Sequence, residues 1–174
     1  GREQLIQRYA QEVIDGVIDK GEAAVVVLVA MQVTMRTVLG LLGVPQADYT
    51  YIADVVNVMT LAADPEYAAN RDEGWAASME AWQYGEKLAE HHRSNPRDSV
   101  TMDMLDTQVD GKRMSNEQFA GFFVNLIVGG METTRNTTAW MVYEFIRHPQ
   151  QYAQLQADLA LVPNAVEETL RYRN

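Results

Sequence analysis

The residues of this chain best suited to chemistry lie at positions 122–138, FFVNLIVGGMETTRNTT, where an apolar helical run takes in two glycines, a carboxylate and paired threonines. In an exposed helix interior each glycine costs about 1 kcal/mol against alanine, so Gly129 and Gly130 mark a weak point in the backbone ladder. Glu132 and Thr133 follow closely, which puts an acid and an alcohol where the hydrogen-bonded helix can open. Asn125, Gly129, Glu132 and Thr133 stand at i, i+4, i+7 and i+8, a spacing that gathers them on one helical face. A face with a small gap, an acid and a hydroxyl suits proton exchange with something seated against it. Glycines in buried helices also serve close packing alone, and that reading stays open at this point.

The elements that must position this stretch are helical. Ser115 with Gln118 forms a capping-box pattern, and the helix it opens is expected over Asn116–Arg147, stopped by His148-Pro149. It is the longest element, on the order of 45 Å, and should run through the centre of the fold. Residues 1–20 read as an amphipathic helix with Leu5, Ile6, Tyr9, Val13 and Val17 on one side, closed by Gly21. From Ala23 a β-branched run admits a short strand, but Met31, Met35, Val38, Leu39 and Leu42 favour a second helix ended by Gly43-Val44-Pro45. A third helix is expected over 46–61, broken by Ala63-Asp64-Pro65, and a long charged one over 71–93 with Trp75, Met79, Trp82 and Leu88 as its apolar stripe. His91 and His92 point about 100° apart, which suits a charged helix end and not a shared metal. A short helix at 99–107, a turn at Asp110-Gly111, a helix from Pro149 and a last one entered through Val162-Pro163 complete the pattern. With seven or eight helices and little strand, the fold class is all-α or mainly α.

Composition narrows the function. At 174 residues the chain has the size of one ordinary domain, and residues 1–174 read as a single helical region. A formal charge of −10 argues against nucleic acid as a partner, because phosphate binding needs clustered Lys and Arg. The absence of cysteine excludes disulfides, cysteine-ligated metals and a thiol nucleophile. The longest apolar run, residues 23–31, falls short of the ~20 residues of a membrane helix, and no signal-peptide pattern opens the chain. The expectation is a soluble, acidic, cytoplasmic protein with no membrane partner.

Glu168 and Arg171, in NAVEETLRY, stand at i, i+3 and can form an ion pair, by itself a common solvated feature. Together with GGMETT at 129–134, EETLR at 167–171 gives a combination that resembles the cytochromes P450, the haem-thiolate monooxygenases. HPQQYAQLQ at 148–156, LLGVP at 41–45 and the loop DGKRMS are similar to further family segments, so the resemblance covers almost the whole chain. It implies a soluble bacterial-type enzyme that inserts one oxygen atom of O2 into an apolar small molecule. Its haem would be supplied with electrons by a redox partner such as ferredoxin and its NAD(P)H reductase. Matched residue by residue, Glu132 would be the acid and Thr133 the alcohol of proton delivery, and Gly129, Gly130 and Thr133 would border the haem. Asn125, Val128 and Gly129 would face substrate, and Glu168 and Arg171 would be a structural ion pair.

The family holds its iron by a cysteine thiolate, and no cysteine is present, so no metal ligand is assigned. The expectation is therefore a central fragment of the fold, ending at the ExxR helix, without the N-terminal part or the cysteine loop. Alone it should be inactive and bind haem weakly if at all. Its central apolar face, with Phe119, Phe122, Phe123 and Ile127, would then be incompletely covered and favour self-association. The alternative is a non-catalytic helical assembly or interaction fragment in which Glu132 and Thr133 only pack. A bundle-type carboxylate metal site would need Glu-x-x-His pairs, which the sequence lacks.

Overall fold

The computed structural model describes residues 2–62, 64 and 71–173. The described residues form eight α-helices: α1 (Arg2–Ile18), α2 (Met31–Leu41), α3 (Tyr49–Leu61), α4 (Arg71–Ser94), α5 (Val100–Asp106), α6 (Asn116–Arg147), α7 (Pro149–Ala157) and α8 (Val162–Arg173). A two-stranded antiparallel hairpin, β1 (Gln108–Val109) with β2 (Lys112–Arg113), turns at Asp110-Gly111, where both residues have positive φ. The architecture is all-α, as expected. Most of the chain break expected at Ala63-Asp64-Pro65 falls outside the described residues. None of the helices is long and apolar enough to cross a membrane, among the described residues.

The central helix forms where the capping box predicts. Ser115 Oγ accepts from the Gln118 N–H at 3.1 Å, and Gln118 Oε1 accepts from the Ser115 N–H at 2.9 Å, which satisfies two donors at the helix start. The β-branched run after Ala24 is helical and not a strand: residues 25–30 form a π-helical turn that leads into α2 and packs on α6. No neighbouring strand lies there to pair with it among the described residues, so only a helix satisfies its backbone.

The core is built around one side of α6. Phe119, Phe123 and Ile127 are fully buried against α2, α3 and α4, whereas Phe122 is half exposed. This corrects the expectation of one incompletely covered apolar face: three of its four residues are sealed within this chain. The buried face of α4 also differs from the expected stripe. It consists of Ala77, Ala81, Gly85, Leu88, Ala89 and His92, while Trp75 and Met79 look outward. Helix α6 crosses so close that a Cβ on Gly85 would lie 3.0 Å from the Ala120 Cα and 3.2 Å from the Phe123 Cβ. Only small residues fit that crossing, which is why the bulky ones are displaced to the flanks.

His92 is the main correction to the sequence reading. It is no solvated helix end: the imidazole is fully buried where α4 meets the α2–α3 turn and the start of α5. Ser99 Oγ lies 3.2 Å from Nδ1 and the Gly43 carbonyl 3.2 Å from Nε2. The Gly43 carbonyl can only accept, so Nε2 carries the proton of a neutral ring and Nδ1 accepts from Ser99, with Arg97 Nη2 3.4 Å from Nε2 as a neighbouring charge and not as its donor. Arg97 also donates to the Gly43 carbonyl, and Thr101 Oγ1 donates to the Leu42 carbonyl at 2.6 Å. The sequence shows two adjacent histidines before a loop, and only the return of Gly43 onto α4 buries one of them.

Burial, aided by the nearby Arg97 charge, pushes the His92 pKa below its ordinary 6.5. The unfolded chain therefore takes up a proton before the folded chain does. The contribution of His92 is complete above the unfolded value of 6.5 and is lost as pH falls below it, towards the lower folded value. Urea midpoints measured from neutral to mildly acidic pH should fall, and His92→Asn should flatten that slope. An unchanged slope in the variant would remove His92 from the account.

The candidate active-site face of the central helix

Across Gly129 and Gly130 the backbone of α6 remains uninterrupted α-helix. Both glycines are accommodated without opening it, and they look to different sides, about 100° apart. A Cβ on Gly129 would meet nothing within 4 Å, whereas one on Gly130 would lie 2.9 Å from Val38 Cγ2 on α2. Gly130 thus permits close helix packing and Gly129 fronts open space. Val128 also turns inward, packing against the core cluster.

The open side carries Phe122, Leu126, Gly129, Thr133, Asn136 and Trp140, all exposed and spaced three or four residues apart. Asn125 borders this stripe, its amide donating to the Gly121 carbonyl at 3.0 Å. Thr133 Oγ1 donates to the Gly129 carbonyl at 2.6 Å. That bond fixes the hydroxyl over the glycine and leaves its oxygen lone pairs free to accept from a ligand or water. Leu126 was not among the expected residues, and Phe122 was expected on one apolar face with Phe119, Phe123 and Ile127. The stripe period would have separated them.

Glu132 sits on the flank and not on the stripe. Its carboxylate pairs with Arg135, and the two side chains are only 16% and 17% exposed. Arg135 Nη1 donates in turn to Asn57 Oδ1 on α3 at 3.2 Å, and Met31, Thr34, Ala53 and Met131 close the surroundings. Of the residues expected to share a face, the structure gathers Asn125, Gly129 and Thr133 and sets Glu132 beside them, tied to α3. The Arg135 and Asn57 partners were also missed, although Glu132 and Arg135 at i, i+3 are the sequence signal for such a pair.

Glu168 and Arg171 form the expected ion pair, with Arg171 Nε and Nη2 donating to the two carboxylate oxygens at 2.7 and 2.6 Å. Those hydrogen bonds hold the Glu168 carboxyl below its ordinary value. The pair is exposed, and Glu168 stands at an open cleft of about 490 Å³ between α6, α7 and α8 that Met141, Phe145, Leu155 and Ala165 also line.

A central helix with one sealed and one open side is followed by a short helix and by the helix that carries the Glu168–Arg171 pair. A family model for cytochrome P450 matches residues 71–174, and the chain belongs to that family. It is 35% identical over 139 residues to a methyl-branched lipid omega-hydroxylase of Mycobacterium tuberculosis, covering 79% of this chain and 32% of that protein. A steroid C26-monooxygenase of Rhodococcus jostii is 33% identical over 151 residues, covering 87% of this chain and 31% of the relative. Among solved structures, a cytochrome P450 of Mycobacterium marinum in complex with pseudoionone superposes with a TM-score of 0.89 at 30% identity, over 98% of this chain and 42% of that one. The chain therefore spans about a third of the length of the curated relatives it matches.

The family's group is haem, and the open stripe fits one face of a flat macrocycle. The space over Gly129 is clear, Leu126 offers an apolar neighbour and Thr133 a hydroxyl. The chain itself provides no thiolate, since it contains no cysteine.

Proposed function

We propose that the complete protein is a haem-dependent monooxygenase that inserts one atom of O2 into an apolar small molecule, and that this chain supplies the wall facing the oxygen-binding side. The carrying observation is the Thr133 hydroxyl, fixed at 2.6 Å on the Gly129 carbonyl beside a clear, exposed stripe. Bound haem would supply the activation of dioxygen. Gly129, Gly130 and Thr133 border its place in this reading, Gly130 by letting α6 lie close to α2 and not by contact. Phe122, Leu126 and Asn125 would meet the substrate, with Val128 supporting them from the core side.

Thr133 Oγ accepts a hydrogen bond from water and, once its O–H rotates off the Gly129 carbonyl, can pass that proton outward. Glu132, once turned off Arg135 and protonated from solvent, gives Thr133 the proton it has passed on. To reach the stripe its carboxylate turns away from Arg135 and Asn57, so the ion pair is its resting position. Glu168 and Arg171 act structurally. Lipid and steroid hydroxylases among the relatives support an extended apolar substrate. Electron supply by a ferredoxin and its NAD(P)H reductase, a cytoplasmic location, and residues 1–174 as one helical part of a larger domain belong to the same reading. On this account the 174 residues alone do not turn over.

Thr133→Ala in the complete protein tests it. The hydroxyl is lost without disturbing an exposed helix position, so product formed per electron consumed should fall while substrate affinity holds. Unchanged coupling would refute the relay role.

A further inference from the structure

Two tyrosines join α3 to α4 through crossed hydrogen bonds. Tyr51 on α3 donates to Glu80 Oε1 on α4 at 2.6 Å, and Tyr84 on α4 donates to Asp48 Oδ2, just before α3, at 2.6 Å. Their ring centroids are 6.1 Å apart. The half-buried Tyr84 ring stacks on Phe123 of the central helix, 5.7 Å between centroids and 26° between planes. Tyr51, by contrast, is 41% exposed. The aromatic groups thus run without a gap from the core side of α6 to the surface.

Tying two helices together needs only a hydrogen bond, and a neutral amide acceptor would serve. Both phenols here meet carboxylates, which are bases as well as acceptors. A phenol that loses an electron becomes a strong acid, so its oxidation is easy only when a base already accepts a hydrogen bond from it and can take the proton. Both tyrosines meet that condition. Burial and the carboxylates raise both phenols, Tyr51 to about 12, so both bonds are intact across the neutral range.

We propose that Tyr84 and Tyr51 form a one-electron relay that carries an oxidising equivalent from beside the central helix to the protein surface. A one-electron oxidant near α6 takes an electron from Tyr84, whose proton moves along the hydrogen bond to Asp48. Tyr51 then gives an electron to the Tyr84 radical and its own proton to Glu80, while Asp48 returns its proton to Tyr84. The result is a neutral Tyr51 radical, a protonated Glu80 and a reduced oxidant. A hydrogen-atom donor in solution restores Tyr51, and Glu80 releases its proton to solvent. The use of such a relay, to drain an oxidising centre that has no substrate, rests on the monooxygenase reading. The relay itself does not.

The absence of cysteine allows a direct test, because Leu126→Cys gives one attachment point on the open side of α6 for a ruthenium polypyridyl photo-oxidant. Flash oxidation of the labelled chain, without haem, is followed by freeze-quench EPR and by peptide mapping of a nitroso spin trap. A tyrosyl signal with the trap on Tyr51 is expected. Tyr84→Phe should lower that adduct severalfold with unchanged helical circular dichroism. Tyr51→Phe should leave an EPR signal on Tyr84 that the trap does not reach, and Asp48→Asn should slow its formation. Adducts confined to Trp75 or Trp82, or an undiminished Tyr51 adduct in Tyr84→Phe, would overturn the proposal. Failure here leaves the Thr133 test standing, and the reverse also holds.

Discussion

Gly43→Val is expected to destabilise the fold by on the order of 4 kcal/mol, combining a left-handed backbone cost with overpacking. Gly43 has φ +70°, which a β-branched residue resists. A Cβ there would also lie 2.6 Å from His92 Cε1 and 3.1 Å from Ser99 Cβ, so the buried imidazole would be driven from its site. Displacing it leaves the Gly43 carbonyl with Arg97 as its remaining donor and strands the ring nitrogens, and each buried polar group left unpaired costs roughly 1–3 kcal/mol. Since small domains are held by about 5–15 kcal/mol, urea denaturation should show a large drop in midpoint, or no folded baseline. The two causes can be separated with Gly43→Ala in a His92→Ala background. There the His92 clash is gone, leaving the backbone cost and the 3.1 Å contact with Ser99 Cβ, so the added loss should be below that of Gly43→Ala alone. Equal losses would mean that the packing of His92 against Gly43 contributes nothing.

Phe123→Ala should cost about 3–5 kcal/mol, while Phe122→Ala, one residue away, should stay within about 0.5 kcal/mol. Phe123 is fully buried, stacked on Tyr84 and 6.2 Å from Phe119 between ring centroids. The facing position on α4 is Gly85, whose lack of a side chain is what lets the ring in. Nothing on that side can expand to refill the space, so the cavity term is kept in full. Phe122 is 51% exposed and leaves no cavity when trimmed. Thermal or urea unfolding of the two variants checks this. Similar losses at both positions would contradict the division of α6 into a sealed and an open side.

That division shows where sequence reasoning stops. Local signals were readable because they are written in neighbouring residues: the Ser115–Gln118 box, the Pro149 start, the Gly21 and Gly43 helix ends, and the Glu168–Arg171 spacing. The orientation of helix faces was not, because it depends on what packs opposite. On α4 the apolar stripe through Trp75 and Met79 obeys helical periodicity, but α6 crosses at Gly85 and selects the alanines instead. His92 is buried by a turn almost fifty residues upstream in the chain. At the candidate site, the motif singled out Gly129, Glu132 and Thr133, yet periodicity alone could not tell that Val128 and Gly130 turn inward. Nor could it show that Glu132 is tied to α3 through Arg135 and Asn57.

The central claim is that the clear space over Gly129 is where the haem of the complete protein lies. Gly129→Leu tests it most directly, because a Cβ there meets nothing in this chain. The isolated 174-residue chain should keep its circular dichroism and gain up to about 1 kcal/mol in stability, since leucine is the better helix former. The complete protein carrying the same change should lose its bound haem, read as the Soret absorbance per polypeptide. Full haem content in that variant would contradict the account.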